Sequence, residues 1–138
     1  MSAAEFLDTN VLVYAFDDGT PQKQSIARKY VQRAMAGEYL ISVQVLAELS
    51  ATLLHRFKVA MTPSKMMTIL DALSIVRVVQ LDEELVRRAV EAHLRYGVHF
   101  YDGMIVAAAE RAGCSRIWSE DLNAGQEYFG VKVENPFA

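Results

Sequence analysis

Apolar and polar positions along the chain switch repeatedly between a strand-like and a helix-like spacing. Glu5 to Leu7 reads as a short strand. It feeds a polar knot, Asp8-Thr9-Asn10, and then an apolar run, Val11 to Tyr14, that forms a helix or turn. After Pro21, the positions Ile26, Ala27, Tyr30, Val31 and Ala34 make one apolar stripe, which predicts a helix over 22–36 stopped by Gly37. "EYLIS" (38–42) reads as a strand, and Ser42 can cap a helix from about Val43 to Arg56. Thr62-Pro63 pairs an N-cap with proline at the first helical position, opening a helix to about Ala72. "IVRVVQL" (75–81) is a β-branched strand. Asp82 and Glu84 open another helix, with Leu85, Val86, Ala89, Val90, His93 and Leu94 as its stripe and Gly97 as its stop. Tyr101-Asp102 leads into "GMIVAAAERAG", a helix over 103–112 that is apolar most of the way round. Its alanines predict burial with close backbone approach to the sheet. "SRIWS" (115–119) is a strand, "EDLNAGQEY" (120–128) a loop, and "VKVEN" (131–135) a last strand.

Strands alternating with helices imply a mainly parallel sheet with both faces covered. The expected fold is therefore α/β, a three-layer α/β/α sandwich, in one domain over 1–138. Composition agrees: 138 residues, 52% hydrophobic and 22% charged, build one sizeable core and exclude a disordered chain. No apolar run approaches the roughly 18 residues of a membrane span. The start lacks a basic stretch followed by an apolar one, so a cytoplasmic location without an export signal is expected. The single cysteine, Cys114, excludes an intrachain disulfide and is expected as a small buried residue. With 14 basic and 17 acidic residues, the net charge of −3 does not advertise nucleic-acid binding. A local basic patch or bound cations still permit it.

The acids have a pattern. In open α/β sheets, ligand sites form beyond the carboxyl ends of the strands. Asp8 follows the first strand, Glu120 and Asp121 follow "SRIWS", Asp102 begins the buried helix, and Glu48 lies in the helix after "YLIS". Each has an ordinary explanation. Asp8 and Asp102 could cap helices, Asp121 could make an Asx turn, and Glu48 sits about 100° round the helix from Leu49, where it could face solvent. Together they repel one another unless a cation fills the cluster. Oxygen donors suit Mg²⁺ or Mn²⁺ rather than zinc. No CxxC or HExxH is present, and His55, His93 and His99 are scattered.

"FLDTNVLVYAF", "ISVQVLAELSATL", "FYDGMIVAAAERAGC" and "WSEDLNAGQ" resemble, in order and spacing, the successive motifs of PIN-domain ribonucleases. The resemblance is closest to the VapC-type toxins of bacterial type II toxin–antitoxin pairs, and it spans nearly the whole chain. It implies that Asp8, Glu48, Asp102 and Asp121 form an acidic quartet, with Asp8 and Asp102 as principal ligands of Mg²⁺ or Mn²⁺. Thr9, Asn10 and Ser119 match the polar residues beside the family's acids, and Glu120 is an additional acid without an assigned role. Hydrolysis of RNA phosphodiester bonds, a cognate antitoxin and a homodimer are implied as well. An acidic pocket also needs help in meeting RNA. Arg28, Lys29, Arg33, Arg56, Lys58, Arg87 and Arg88 are available, though none is assigned a contact.

Rival readings are a nuclease of RNA processing without an antitoxin, or a PIN-like module that binds RNA or protein without cutting. Four converging acids speak against pure binding. A phosphatase is disfavoured because "DTN" lacks the second aspartate of a DxD pair, and "DDGT" (17–20) does not directly follow a strand. Dinucleotide binding lacks its GxGxxG.

Overall fold

The computed structural model describes residues 3–56 and 61–138. Lys58 lies outside the described residues. The strands are β1 (Glu5–Leu7), β2 (Tyr39–Ser42), β3 (Arg77–Val79), β4 (Arg116–Trp118), β5 (Glu127–Tyr128) and β6 (Val131–Glu134). The helices are α1 (Thr9–Tyr14), α2 (Pro21–Met35), α3 (Val43–Arg56), α4 (Pro63–Leu73), α5 (Glu83–Tyr96) and α6 (Phe100–Arg111). One sheet takes all these strands in the order β3-β2-β1-β4-β6-β5. Every pairing is parallel except β5 with β6.

Successive strand residues point to opposite faces of a sheet. Phe6 and Leu7 are neighbours in β1, and both are fully buried. Tyr39, Leu40, Ile41 and Ser42 are likewise all buried along β2. Both faces of the sheet centre are therefore covered, as the expected three-layer α/β/α sandwich requires. No helix among the described residues is long and apolar enough to cross a membrane. Cys114 is buried as expected, and desolvation pushes its thiol up to about 12.

Three expectations need correcting. The helix predicted over 103–112 begins at Phe100, because His99 takes the cap by accepting a hydrogen bond from the Tyr101 backbone N–H. Its close approach is to α5 rather than only to the sheet: a Cβ on Gly103 would lie 2.7 Å from the Ala89 carbonyl oxygen. That approach also splits the predicted α5 stripe. Leu85, Ala89 and Ala92 turn inward, while Val86, Val90 and Leu94 remain exposed. Ala89 and Ala92 take the inward face beside Gly103, where α6 comes too near for larger residues. Finally, the predicted loop 120–128 ends in β5, which makes a tight hairpin with β6 through Phe129 and Gly130, both at positive φ. A non-glycine residue seldom adopts that conformation. Phe129 is held there by its N–H, which donates to Tyr96 Oη, and by the Arg88 guanidinium 3.6 Å over its ring.

Candidate active site

The sheet order brings the carboxyl ends of β1 and β4 side by side. Leu7 pairs with Trp118, and the Asp8 N–H donates to the Trp118 carbonyl at 3.0 Å. The connection leaving β1 leads to β2 on one side, while β4 lies on the other. This reversal is where α/β sheets open a crevice. Asp8 from β1 and Ser119 to Asp121 from β4 meet in it, and α3 and α6 bring Glu48 and Asp102. A cavity of about 330 Å³ is lined by all four acids together with Thr9, Asn10, Tyr14 and Glu120.

Two polar side chains organise the crevice. Ser119, fully buried, donates to Asp8 Oδ2 at 2.7 Å and accepts from the N–H groups of Asp121 and Leu122. One hydroxyl thus ties the first acid to the loop carrying the last. Asn10 lies within 3.2–3.4 Å of Asp121 Oδ2, Ser119 Oγ and Asp8 Oδ2 through its amide nitrogen. Its carbonyl accepts from the Glu120 N–H at 3.1 Å. Thr9 joins the third acid, donating from Oγ1 to Glu48 Oε1 at 2.9 Å.

Asp8 caps α1, accepting from the Thr9 N–H at 2.7 Å. Asp102 is not the cap of α6. It lies in the first turn of α6, past the cap that His99 supplies. Glu48 is half-buried rather than free in solvent, and Asp121 is exposed at the cavity's edge. Among the described residues, no group of three or more His, Cys, Asp or Glu side chains forms a ready cage for an ion. Asp8, Asp121 and Glu48 are turned onto the hydroxyls and amides just described.

Electrostatics shows the strain of this gathering. Burial pushes Asp8 up to about 7. Hydrogen bonds from Ser119 and Thr9 oppose the rise, and the charges of Asp102 and Asp121 add to it. Burial also raises Asp102, and Asp121 raises it further. The charges of Asp102 and Asp121 thus reach buried Asp8, and that of Asp121 reaches Asp102. Oxygen-only donors with excess negative charge suit a hard divalent cation, and the residues present fit one.

Glu120 behaves differently from its neighbours. Burial pushes its carboxyl up, but hydrogen bonds from Lys23 and Tyr14 outweigh burial and leave it below the ordinary range. Its side chain lines the same cavity but is bonded to those two groups. Sequence reasoning passed over Gln44, Tyr14 and Lys23. Gln44 is buried, with Nε2 at 3.4 Å from Glu48 and 2.9 Å from the Tyr101 carbonyl, so it ties α3 to the first turn of α6. Its position one helical turn before Glu48 was the available signal. Of the histidines, His99 caps α6 and its charge opposes the rise of Asp102, His93 Nδ1 lies 2.7 Å from the Val98 carbonyl, and His55 is in the last turn of α3.

Residues 6–126 match the family model of the PIN domain. No curated protein sequence matches the chain. Among solved structures, it is similar to a toxin–antitoxin complex from Klebsiella pneumoniae (TM-score 0.72, 16% identity, 96% of this chain and 98% of that one). It is similar to VapC20 of Mycobacterium tuberculosis, a sarcin–ricin-loop-cleaving toxin (TM-score 0.68, 18% identity, 94% and 99% covered). It is also similar to FitAcB from Neisseria gonorrhoeae (TM-score 0.65, 19% identity, 96% and 98% covered). At these identities the three show a shared fold.

Proposed function

The chain belongs to the PIN domain family, and from that premise we propose that it is a metal-dependent endoribonuclease, the toxin of a toxin–antitoxin pair. The observation that carries the reading is one crevice lined by Asp8, Glu48, Asp102 and Asp121, in which the charges of neighbouring acids raise Asp8 and Asp102. Four carboxylates brought together by four separate elements, three of them in electrostatic contact, make sense as a cation site. A fold needs no such gathering for stability.

In this reading Asp8 and Asp102 hold Mg²⁺ or Mn²⁺, with Asp121 and Glu48 completing the set. When bound, the cation neutralises charge on the phosphoryl oxygens and makes water a better nucleophile. The chain does the rest. Ser119 and Asn10 tie Asp8 to Asp121, and Thr9 on α1 with Gln44 on α3 fixes the Glu48 carboxylate. A carboxylate of the set orients the attacking water and takes its proton. Asp8, pushed up to about 7, can change its protonation near neutral pH. Asp8 would hold the cation in its unprotonated form, so affinity for the cation would fall as the pH drops below neutral.

The partners in this reading are an RNA substrate, an antitoxin and a second copy of the chain, in the cytoplasm. An Arg or Lys from the antitoxin would suit the acidic cleft, since charge-assisted pairing can take the cation's place. A homodimer has an apolar ridge available in Val86, Val90 and Leu94 on α5. The test is cleavage of single-stranded RNA by the purified protein with Mn²⁺ or Mg²⁺, with EDTA, and after Asp102→Asn. Cleavage should require the cation and vanish in a folded Asp102→Asn protein. Full activity of that variant, or cleavage indifferent to EDTA, would sink the reading.

A further inference from the structure

Lys23 is the third residue of α2, and its ammonium meets Tyr14 at the end of α1 and Glu120 in the loop after β4. Its ammonium pairs with Glu120 Oε2 and lies 3.3 Å from Tyr14 Oη. It also sits 4.8 Å above the Tyr14 ring and 5.4 Å above that of Phe137. Tyr14 Oη donates to the other oxygen of Glu120 at 2.7 Å. The two rings are themselves packed edge to face, 5.0 Å apart. Tyr14 and Glu120 line the catalytic cavity. The cation is thus held against two residues of that cavity's wall, just outside a pocket whose charges are mostly negative.

The donor count leaves it unfinished. An ammonium has three N–H donors, and among the described residues Glu120 and Tyr14 take two. The side chain remains 37% exposed, so the third donor is open to a ligand. Fixing a flexible lysine with an acid and two rings removes much of the rotamer freedom that binding would otherwise have to freeze. The neighbouring crevice, on the nuclease reading, receives a chain of phosphates.

We propose that Lys23 is a positioning residue that grips an RNA phosphate flanking the one to be cut, and that Glu120 and Tyr14 serve to hold it there. This rests on the nuclease reading. It also gives Glu120 a role apart from the metal-binding acids, and it makes the pair asymmetric. Removing Lys23 loses the phosphate contact and leaves Glu120 as an unpaired negative charge facing RNA. Removing the charge of Glu120 leaves Lys23 in place and takes away a repulsion. An ordinary ion pair linking α2 to the loop after β4 would instead make the two losses alike.

The test measures binding of a fluorescent single-stranded RNA to the Asp102→Asn protein in Mn²⁺ over a range of KCl concentrations. Adding Lys23→Gln should weaken binding about three- to tenfold at 0.1 M salt and flatten the log–log salt slope by about 0.7, the share of one single-strand phosphate contact. Lys23→Arg should restore both, and Glu120→Gln should bind as tightly as the parent or more so. Arg87→Gln, on α5 and paired with Glu83, is the control for general charge and should change neither. An unchanged slope with Lys23→Gln, equal losses from Lys23→Gln and Glu120→Gln, or no RNA binding by the parent would each overturn the proposal. Failure of the nuclease reading shows separately, as absence of cation-dependent cleavage by the wild-type protein.

Discussion

Removing the charge of Asp8 should stabilise the metal-free protein, and only above mildly acidic pH. Asp8 is 4% exposed, and its pKa rises from the ordinary 3.8 to about 7. Between those values the folded state keeps the proton while the unfolded state has released it. The native protein therefore binds more protons, and stability falls as pH rises through that window. Fully developed at pH 8, the loss is roughly 4 kcal/mol. Asp8→Asn escapes it but has one oxygen where the carboxylate had two, so it forfeits a bond from Ser119 or Thr9, worth about 1 kcal/mol. The net gain at pH 8 is about 3 kcal/mol, or roughly 10 °C in Tm for a chain of this size. At pH 4 the gain vanishes and the lost hydrogen bond leaves the variant a few degrees below wild type. Thermal melts in EDTA from pH 4 to 8 read this directly. Adding Mn²⁺ at a hundred times its Kd should return about 2.7 kcal/mol to the wild type and less to Asp8→Asn. A difference in Tm that stays constant from pH 4 to 8, or a variant less stable at pH 8, would refute the electrostatic reading of the crevice.

Two further outcomes follow from the geometry. Gly103→Ala puts a methyl 2.7 Å from the Ala89 carbonyl oxygen and should destabilise the fold by about 1–3 kcal/mol in urea denaturation, despite the better helix propensity of alanine. Ser119→Ala removes the hydroxyl that joins Asp8 to the Asp121 loop and should weaken Mn²⁺ binding about 10- to 100-fold by calorimetry, with the fold retained.

How much of this could be read in the sequence depended on whether the deciding interaction was local. Thr62 with Pro63, and Asp82 before Glu83 and Glu84, act within one turn, and both caps form as their residues indicate. The strand cores behave similarly, since Phe6-Leu7 and Tyr39 to Ser42 are too apolar to face water on either side. The start of α6 was misread locally, because His99 is an unusual cap, but the other misreadings came where a distant partner decided. Which face of α5 turns inward depends on how near α6 approaches, a fact located at Gly103, a dozen residues further along. The hairpin at Phe129 depends on Tyr96 and Arg88. The acids were readable as residue types after strands. Their support was only partly so: Thr9, Asn10 and Ser119 adjoin the acids in sequence, but Lys23 reaches Glu120 across 97 positions.

Asp8 also shows that capping and ligand binding are not competing explanations of an acid at the end of a strand. The cap bond from Thr9 occupies one oxygen and Ser119 occupies the other, so the side chain is fixed before any cation arrives. Those two bonds lower its pKa, yet burial and the neighbouring acids more than reverse them. An acid that served only as a cap would gain nothing from being placed beside Asp102 and Asp121, and the helix would be more stable with asparagine or serine there. The excess charge is the part that capping leaves unexplained. It is also the part that a divalent cation would relieve, so the stability of the metal-free protein, followed against pH, measures how strongly the site is prepared for one.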